Sequence, residues 1–457
     1  MSELRKEFYI PIEIKAREFY SQLLLGGRIA LKGGRVFIGS KYAVDYFIEN
    51  KKHKHGTYLY KGGGASISKF KSKIKKLSSI AVLDQEVSPA IIEYSSFIRH
   101  RFVKGSLKYV SRLYYVGEVA RKSAKDVLTE INPDLIKAFG WPRIDLWKPK
   151  YHKVWHKEVQ GIKCRFPQPF LLFTSDFGCT TQKQVDEFIL AFEKRGTKKS
   201  EQDLVALSER LNNNFQSFKE FIAFLETISA ETQLPNIIVR PHPSEDHQAW
   251  NRAISHLPNV HCVYEGSVSP WLLASEGLIH RGCTSAIEAF FSRKKAAVLL
   301  DFIEPENTSI SVTLSTPIND SKSILNWYQS DHIDPLLDSA SLNVIEQHVS
   351  NIEKESLDSI SHDLFMINGK EVAFLESDFN RQPSIAVALY KKVKNKILSL
   401  FNRDKYLPTY GKTSKMQDGI NLAESDHILR AIYPDYPFYL RQPAKNIIII
   451  EPNESAI

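Results

Sequence analysis

The chain has 457 residues, of which 43% are apolar, and it carries a formal net charge of +9. That length is enough for two domains with ordinary cores, and no run of about 18 apolar residues occurs, which excludes a transmembrane helix. The four cysteines show no metal-ligand spacing and the first residues lack a signal-peptide pattern, so we expect a cytoplasmic protein with reduced thiols.

The charge is unevenly distributed along the chain. Residues 1–165 contain 33 Lys and Arg against 15 Asp and Glu, and the remaining residues contain 28 against 37. A basic first part predicts an anionic partner, which can be a nucleic acid, an anionic membrane surface or a phosphorylated glycan. The alternative is a basic surface that is simply solvated.

The first third of the chain alternates strand-like and helix-like segments. A strand pattern, FYIPIEIK, precedes a helix pattern, AREFYSQLLLGGRIAL, and three short apolar segments follow: RVFIGS, GTYLYKGGG and SSIAVLD. This alternation is typical of βα units. Residues 69–77, KFKSKIKKL, place apolar side chains on one helical face and lysines elsewhere. They indicate either a helix on an anionic membrane surface or an ordinary solvated helix face.

Residues 140–160 combine prolines and tryptophans with little periodicity, which predicts a junction between domains. Within it, His152 and His156 stand four residues apart, as helical metal ligands do, although no carboxylate motif accompanies them. The alternative is an exposed linker helix. We expect Asp145 to pair with Arg143 in this junction.

From residue 166 onward the alternation is clearer. The apolar runs FLLFTS, NIIVR, VHCVY, GLIHR and AAVLL are separated by helical patterns. They predict a parallel, doubly wound sheet, in which ligands bind at the carboxyl ends of the strands. The stretch VRPHPSEDHQAW (239–250) places Arg240 and His242, each beside a proline, at one such end.

A second loop of interest follows the strand that ends at His280-Arg281. Gly282 permits a tight turn, and Cys283-Thr284-Ser285 opens a helix that contains Glu288. Free N–H groups and hydroxyls at a helix start suit an anion, although Thr or Ser there is also an ordinary N-cap. Arg240 and His242 on one loop with Thr284 and Ser285 on the other predict a clamp for a diphosphate or a nucleoside monophosphate.

These motifs resemble a known family. His280, Gly282, Thr284/Ser285, Glu288, Ala289 and Lys294-Lys295 together resemble the donor-nucleotide site of GT-B glycosyltransferases. RPHP followed by CTS about 40 residues later resembles the HP and S/T motifs of bacterial transferases that use CMP-activated acidic sugars, the Kdo and sialic acid transferases.

Four further segments resemble, in the same order, those of surface carbohydrate biosynthesis proteins, which include retaining β-Kdo transferases of lipopolysaccharide O-antigen and capsule assembly. The resemblance covers roughly residues 8–300, and the sequence departs from the family pattern at Gln85 and Trp141. The four segments are PIEIKAREF (11–19), LDQEVSPA (83–90), GWPRIDLW (140–147) and FLLFTSDFG (170–178).

The resemblance implies an α/β protein of the GT-B fold, with two Rossmann-like domains facing across a cleft. Residues 1–150 would form the acceptor domain, 166–395 the nucleotide-sugar domain and 396–457 a C-terminal extension. The implied donor is CMP-Kdo, without a metal cofactor. The implied acceptor is an anionic glycan or glycolipid, with peripheral contact at the inner membrane. No nucleic-acid reading motif accompanies the basic residues, so nucleic acid is not an expected partner.

Each candidate residue then has an expected role. Arg240, His242, Thr284 and Ser285, with Gly282 in the turn, would neutralise the departing phosphate. On the family pattern Glu288 would bind the ribose hydroxyls, and Asp176 would be the nucleophile of a retaining reaction. Asp84 and Glu86 are candidates for acceptor activation. The alternatives for Asp176 and Glu288 are a turn or N-cap residue and an ordinary helix residue.

Two other functions fit the same sequence. One is a GT-B transferase that uses a UDP- or GDP-hexose donor, and the preferred nucleotide base distinguishes it from a CMP-Kdo enzyme. The other is a non-catalytic scaffold of polysaccharide assembly that has kept the fold, for which replacing His242 would have no turnover to remove.

Overall fold

The structure is a computed structural model. Among the described residues the chain forms two compact units. The first unit comprises the described residues up to 154 and from 343 onward, and the second comprises 155–342. The described residues are 4–51, 54–62, 72–89, 91, 93–193, 201–303, 309–331, 334, 338–367, 370–372, 416 and 419–453.

The first unit is built on a sheet that is mostly parallel. Its eight strands in the described residues lie in the order β13-β14-β2-β1-β3-β4-β5-β6, and β1 to β6 pair in parallel. Consecutive strands from β1 to β6 are therefore joined by crossover connections, as the βα alternation predicts. The strands are β1 (Glu7–Ile12), β2 (Arg35–Ser40), β3 (Thr57–Tyr60), β4 (Ser79–Leu83), β5 (Arg112–Tyr115), β6 (Ile136–Ala138), β13 (Phe438–Ala444) and β14 (Ile447–Pro452).

Helices flank this sheet. The long α1 (Lys15–Leu31) buries its leucine-rich face, and its side chains pack against α15 (Ser356–Met366). The short α2 (Lys41–Asn50) begins where Ser40 accepts a hydrogen bond from the Ala43 N–H. The other helices are α3 (Tyr94–Arg99), α4 (Glu118–Val127), α5 (Pro142–Trp147), α14 (Ser339–His348) and α16 (Leu422–Ile432), with 3-10 turns at Leu107–Tyr109, Pro133–Leu135 and Pro149–Trp155.

The C-terminal segment completes the sheet of the first unit. β14 pairs antiparallel with β2, and β13 forms the edge. The pairing is close at Gly39, where an added Cβ would lie 2.4 Å from the Asn446 carbonyl oxygen. A buried ion pair also ties the hairpin down, because Arg35 Nε donates to Glu451 Oε1 at 2.6 Å.

The domain division differs from the predicted boundaries of 1–150, 166–395 and 396–457. Residues 343–367 belong to the first unit, although the sequence predicted them in the second domain. Residues 419–453 also belong to the first unit, whereas residues 396–415 of the predicted extension lie outside the described residues. The reason is non-local pairing, since α15 packs on α1 and β14 extends the sheet beside β2.

The second unit has a parallel sheet with the order β12-β11-β10-β7-β8-β9. Here β7 is the first strand of the unit along the chain, β8 and β9 follow on one side of it, and β10, β11 and β12 follow on the other. This is the Rossmann order, and the direction of the strand order reverses between β7 and β10. All five pairings are parallel. The α/β class with two Rossmann-like units, which the predicted GT-B fold requires, is confirmed. The strands are β7 (Phe170–Thr174), β8 (Asn236–Arg240), β9 (Val260–Cys262), β10 (Gly277–His280), β11 (Ala296–Leu299) and β12 (Thr316–Ile318).

The central strands of the second unit are buried on both faces. Leu171 and Phe173 of β7 enter one hydrophobic core, and Phe170 and Leu172 enter another. This explains why the strands are continuous apolar runs rather than alternating patterns. The helices are α6 (His156–Arg165), α7 (Gln182–Glu193), α8 (Glu201–Ser229), α9 (His247–Ile254), α10 (Ser269–Ala274), α11 (Ser285–Phe291), α12 (Ile310–Thr313) and α13 (Ser321–Gln329), with a 3-10 turn at Leu300–Phe302.

The junction predicted at 140–160 contains a short α-helix, a 3-10 turn and the start of α6, and the units divide within it, after residue 154. Asp145 accepts hydrogen bonds from two groups other than the predicted partner, Arg143. Its Oδ1 accepts from Lys148 Nζ at 2.8 Å and its Oδ2 from the Leu357 N–H at 2.7 Å. The Arg143 guanidinium instead lies over the rings of Trp141 and Trp147.

The lysine-rich segment 69–77 is described only from residue 72 onward. There Lys73 is buried, although its position in the pattern assigned it to the polar face. Its ammonium donates to Asp45 Oδ1 at 2.6 Å and lies over the Tyr58 ring. Desolvation lowers the pKa of Lys73, while Asp45 opposes that shift. Across the described ranges, no helix is both long enough and apolar enough to span a bilayer.

Candidate functional site

The candidate site lies in the second unit, at the carboxyl ends of β7, β8 and β10. These strands are neighbours, and the strand order reverses between β7 and β10. Open α/β sheets bind ligands at this point because the loops on either side diverge there. The loops are 175–181, 241–246 and 281–284.

Glu245 holds two of these loops together. It is fully buried, and its carboxylate accepts five hydrogen bonds. A buried carboxylate with this many donors fixes the backbone that supplies them. The donors are the Phe177 N–H (2.6 Å) and Gly178 N–H (3.2 Å) to Oε1, and Ser175 Oγ (2.5 Å), Trp250 Nε1 (2.8 Å) and the His242 N–H (3.3 Å) to Oε2.

His242 is exposed on the loop that Glu245 anchors. Its backbone N–H donates to Ser175 Oγ at 3.1 Å, and its Nδ1 lies 2.7 Å from Ser244 Oγ. Nδ1 also accepts from the Ser244 N–H at 3.3 Å, which places the ring proton on Nε2. The Nε2–H is therefore the group available to a ligand.

Asp176 follows β7 directly and keeps an exposed side chain. The surrounding loops desolvate its carboxylate, which raises its pKa above the ordinary aspartate range. Repulsion from Glu245 adds to this rise, whereas the nearby His242 and Arg281 oppose it. Asp176 and His242 are thus close enough to interact electrostatically, and their roles in a reaction stay predictions.

Arg281 is a site residue that the sequence reasoning passed over. Its NH1 donates to the Asp176 carbonyl at 2.5 Å, its Nε donates to the Phe302 carbonyl at 3.0 Å, and its guanidinium lies 4.2 Å from the centre of the Phe177 ring. It therefore fixes the loop that carries Asp176 and adds a positive charge beside it. The available signal was its position, one residue past the end of β10.

Arg240 is buried at the end of β8. Its guanidinium donates to the carbonyls of Glu265 (2.8 Å) and Gly266 (3.1 Å). Burial lowers its pKa to about 10, so the group stays charged near neutral pH. These hydrogen bonds show that Arg240 holds the backbone at residues 265–266. Direct contact between Arg240 and a phosphate stays a prediction.

The loop after β10 packs against the end of β7. Ser285 Oγ lies 2.8 Å from Thr174 Oγ1 and 2.6 Å from Cys283 Sγ. Gly282 adopts φ of +91°, the left-handed region that the predicted tight turn requires. Thr284 is exposed and precedes α11 without a side-chain capping bond. The predicted anion clamp of Thr284 and Ser285 therefore stays a prediction.

His280 is a buried structural residue. Its Nδ1 accepts from the Gly282 N–H at 2.9 Å, and its Nε2 contacts Ser315 Oγ at 2.8 Å. Complete burial lowers its pKa to about 3, so the ring stays neutral.

We expect this histidine to make the second unit acid-sensitive. The unfolded chain takes up a proton on His280 below about pH 6.5, whereas the folded state excludes it until about pH 3. Stability conferred by the neutral ring is thus present above pH 6.5 and is lost as the pH falls. Between about pH 7 and 5 the loss should approach about 2 kcal/mol. Urea unfolding at both pH values should show this loss of stability in wild type and a smaller loss in His280→Asn. Equal losses in the two proteins would show that His280 is not its source.

Glu288 lies in α11 with only 5% of its surface exposed. Its carboxylate accepts a hydrogen bond from the Ser269 hydroxyl. Its negative charge opposes the fall that burial causes in the pKa of the neighbouring Arg240. Glu288 is therefore close to Arg240 and inside the unit, and binding of ribose by this carboxylate stays a prediction.

Asp84 and Glu86 belong to the first unit, at the end of β4. Asp84 is fully buried in a two-point ion pair, with Arg101 NH2 at 2.5 Å and Nε at 3.1 Å. Desolvation raises its pKa and Arg101 opposes the rise. Glu86 is partly exposed, 3.6 Å from Arg17 and 3.7 Å from Lys61. Of the two, Glu86 has the solvent access that acceptor activation needs.

The metal alternative for the junction histidines gains no support. His152 lies in a 3-10 turn with Nε2 2.8 Å from the Trp147 carbonyl, whereas His156 begins α6. The two therefore lie in different helical segments. Among the described residues, no cluster of three His, Cys, Asp or Glu side chains is arranged to hold a metal ion.

No protein-family model and no curated protein matches the chain. Among solved structures, the UDP-GlcNAc 2-epimerase of Methanocaldococcus jannaschii, in complex with UDP-GlcNAc and UDP, is similar with a TM-score of 0.44 and 12% identity, covering 78% of this chain and 99% of that one. The UDP-N-acetylglucosamine 2-epimerase of Rickettsia bellii has a TM-score of 0.44 and 11% identity, covering 79% and 96%. The wall teichoic acid polymerase TagF is similar with a TM-score of 0.43 and 8% identity, covering 79% of this chain and 89% of that one. Likeness at this level carries no functional argument.

Proposed function

We propose that the chain is a glycosyltransferase that transfers Kdo from CMP-Kdo to a surface glycan or lipid-linked glycan. The observation that carries the proposal is the convergence of Asp176, His242 and Arg281 where the strand order of the second unit reverses. Glu245 holds the loops of the carboxylate and the imidazole, and the Arg281 guanidinium donates to the Asp176 carbonyl. These three groups suit a reaction in which a phosphate leaves a sugar.

The chemistry follows from the positions of these groups. Loss of CMP leaves negative charge on the departing phosphate and positive charge on the anomeric carbon. The exposed Nε2–H of His242 suits donation to the departing phosphate, and Arg281 adds positive charge nearby. Asp176 suits attack on, or stabilisation of, the anomeric centre.

The choice of CMP and Kdo rests on the resemblance of RPHP and CTS to the motifs of CMP-sugar transferases. The excess of basic residues in positions 1–165 is what an anionic glycan or glycolipid acceptor favours, with peripheral membrane contact as a further proposal. One alternative is a transferase that uses a UDP- or GDP-hexose donor. The other is a scaffold of polysaccharide assembly that catalyses no reaction.

Thermal unfolding with CMP, UMP, GMP or AMP tests the proposal. A ligand at about 100 times its dissociation constant adds about 2.7 kcal/mol to the stability of the folded state. We expect stabilisation by CMP alone and its loss in His242→Ala. The matched control is His256→Ala, because this exposed histidine lies just before β9, at the amino edge of the same sheet.

Each other outcome has a defined meaning. Preference for UMP or GMP would retain a nucleotide-sugar transferase and contradict the Kdo assignment. If none of the four nucleotides raises the melting temperature above that of the nucleotide-free protein, in wild type and in His242→Ala alike, the result would favour the scaffold.

A further inference from the structure

The segment between β4 and β5 exposes two large apolar side chains. Its inner side is packed, because Tyr94 and Ile98 of α3 are 4% and 0% exposed. On its outer side, Phe97 and Val103 are 39% and 43% exposed. The Arg101 guanidinium lies 5.5 Å from the centre of the Phe97 ring, so apolar and basic side chains are neighbours here.

This exposure belongs to a fixed part of the backbone. The Ser106 N–H donates to the Val103 carbonyl at 2.9 Å, which closes a tight turn, and Gly105 within the turn has φ of +79°. The Gly105 N–H donates to Glu130 Oε2 at 2.6 Å, and Ser106 is fully buried. The turn therefore holds Val103 and the exposed Lys104 at the surface.

The same segment is basic. Residues 94–117 contain five Lys and Arg and no Asp or Glu. Two of the five are paired with carboxylates from other parts of the chain. The other three, Arg99, Lys104 and Lys108, are exposed, and within the described ranges none of them pairs with a carboxylate. These three cations are therefore available to an anionic partner.

Helix α4 packs on α3 and adds further charges. Besides one internal Glu–Arg ion pair, it presents Lys122 and Lys125 against Asp126. The carboxylates of Glu93 and Glu130 also contact the segment, and each accepts a backbone N–H from it. The three unpaired cations and these two lysines outnumber the three carboxylates, so positive charge is in excess.

Apolar side chains beside unpaired cations suit an anionic membrane surface. Each Lys or Arg close to anionic headgroups strengthens binding about fivefold. An aromatic ring and a branched apolar side chain can enter the boundary between headgroups and acyl chains. A nucleic acid would match the cations, but Val103 offers it neither a hydrogen bond nor a ring for stacking.

The exposed apolar residues of α7 differ in their surroundings. Phe188 and Leu190 are 43% and 48% exposed, as much as the pair beside α3. Their own helix, however, carries the exposed acids Asp186, Glu187 and Glu193. Anionic headgroups repel such a surface, so α7 supplies a control with similar apolar exposure and the opposite charge.

We propose that residues 97–108 form a docking surface for an anionic lipid bilayer. The two exposed apolar side chains enter the boundary region, and the three unpaired cations lie among the headgroups. The contact is weak and reversible, because few cations and little apolar area take part. It does not depend on the transferase reaction, but for a lipid-linked acceptor it holds the first unit at the leaflet that carries the acceptor.

Co-sedimentation of the full chain with lipid vesicles tests this proposal. One set of vesicles contains phosphatidylcholine alone, and the other also contains about 30% phosphatidylglycerol, which supplies the anionic charge. We expect binding to the anionic vesicles at about 0.1 M salt and its loss at about 0.5 M, because salt screens exposed charges. The neutral vesicles should retain little protein.

Two variants remove the two parts of the surface. Arg99→Ser combined with Lys104→Ser should lower the partition coefficient about 30-fold, because two cations are lost. Phe97→Ser should lower it about fivefold, because apolar area no longer enters the boundary. These side chains are exposed, so both variants should melt close to the wild-type temperature.

Each variant has a matched control. Lys157→Ser combined with Lys163→Ser removes the same charge from exposed positions of α6, and Phe188→Ser removes an equally exposed ring from α7. Both controls should bind anionic vesicles within about twofold of wild type. Equal losses in the variants and the controls would show that residues 97–108 are not the docking surface.

Three further results would overturn the proposal. They are the absence of wild-type binding to anionic vesicles, equal binding to neutral vesicles, and binding to heparin that these variants lose while no vesicle binds. The last result would assign the surface to an acidic polymer. Stabilisation by CMP, measured on the same samples, reports the proposed function separately and should persist in all four variants. Vesicle binding without any nucleotide effect would support the docking surface and contradict the transferase.

Discussion

Replacing Glu245 by alanine is expected to lower the free energy of unfolding of the second unit by about 3–5 kcal/mol. The substitution leaves five donors without their acceptor, two of them from side chains and three from the backbone. It also releases the loops that carry Asp176 and His242. Nucleotide stabilisation should therefore disappear in the same variant.

Glu245→Gln should give a smaller loss, about 1–3 kcal/mol, because the carboxamide keeps one acceptor oxygen and turns an NH2 group toward the other donors. The control is Glu265→Gln, whose side chain is 57% exposed and paired with Arg165. That variant should stay within about 0.5 kcal/mol of wild type. Urea unfolding followed by tryptophan fluorescence measures all three, and an Ala variant as stable as the control would refute the anchoring role.

The strands of the second unit were predictable because their pattern is local. FLLFTS, NIIVR and GLIHR are apolar runs of strand length, and they became β7, β8 and β10. The βα alternation predicted that these strands pair in parallel, and they do so. The strand ends then placed His242 and the 281–285 loop at one edge of the sheet.

The role of Glu245 was not predictable in this way. The sequence shows a glutamate two residues after a histidine-proline pair, and only the structure shows that it is buried and faces the start of the preceding crossover. Arg240 illustrates the same limit. Its type suggested phosphate binding, whereas its guanidinium donates to two backbone carbonyls, because burial depends on contacts that are distant in sequence.

The domain boundaries failed for a related reason. β14 is an isoleucine-rich strand near the C-terminus, and nothing local shows that it pairs with β2 about 400 residues earlier. Residues 343–367 likewise look like a continuation of the second domain, but α15 packs against α1. Local periodicity identifies an element, whereas its partner is decided by tertiary packing.

Replacing Asp176 by asparagine is expected to reduce turnover of CMP-Kdo about 100- to 10,000-fold while leaving stabilisation by CMP intact. The amide has the shape of the carboxylate but neither attacks a carbon nor exchanges a proton. The control is Asp186→Asn, because Asp186 is exposed on α7, where its carboxylate accepts a hydrogen bond from Gln182. Release of CMP measures turnover without a known acceptor, because water can then take the sugar and give free Kdo.

The pH dependence sharpens this test. Desolvation raises the pKa of Asp176, so its carboxyl group stays protonated to a higher pH than an ordinary aspartate. A nucleophile must be ionised, and the rate should therefore fall on the acid side at a pH above the usual aspartate range of about 3.9. Arg281 opposes the shift, so Arg281→Gln should move this acid limb to still higher pH. An acid limb that is unchanged in Arg281→Gln, or wild-type turnover in Asp176→Asn, would remove Asp176 from the reaction.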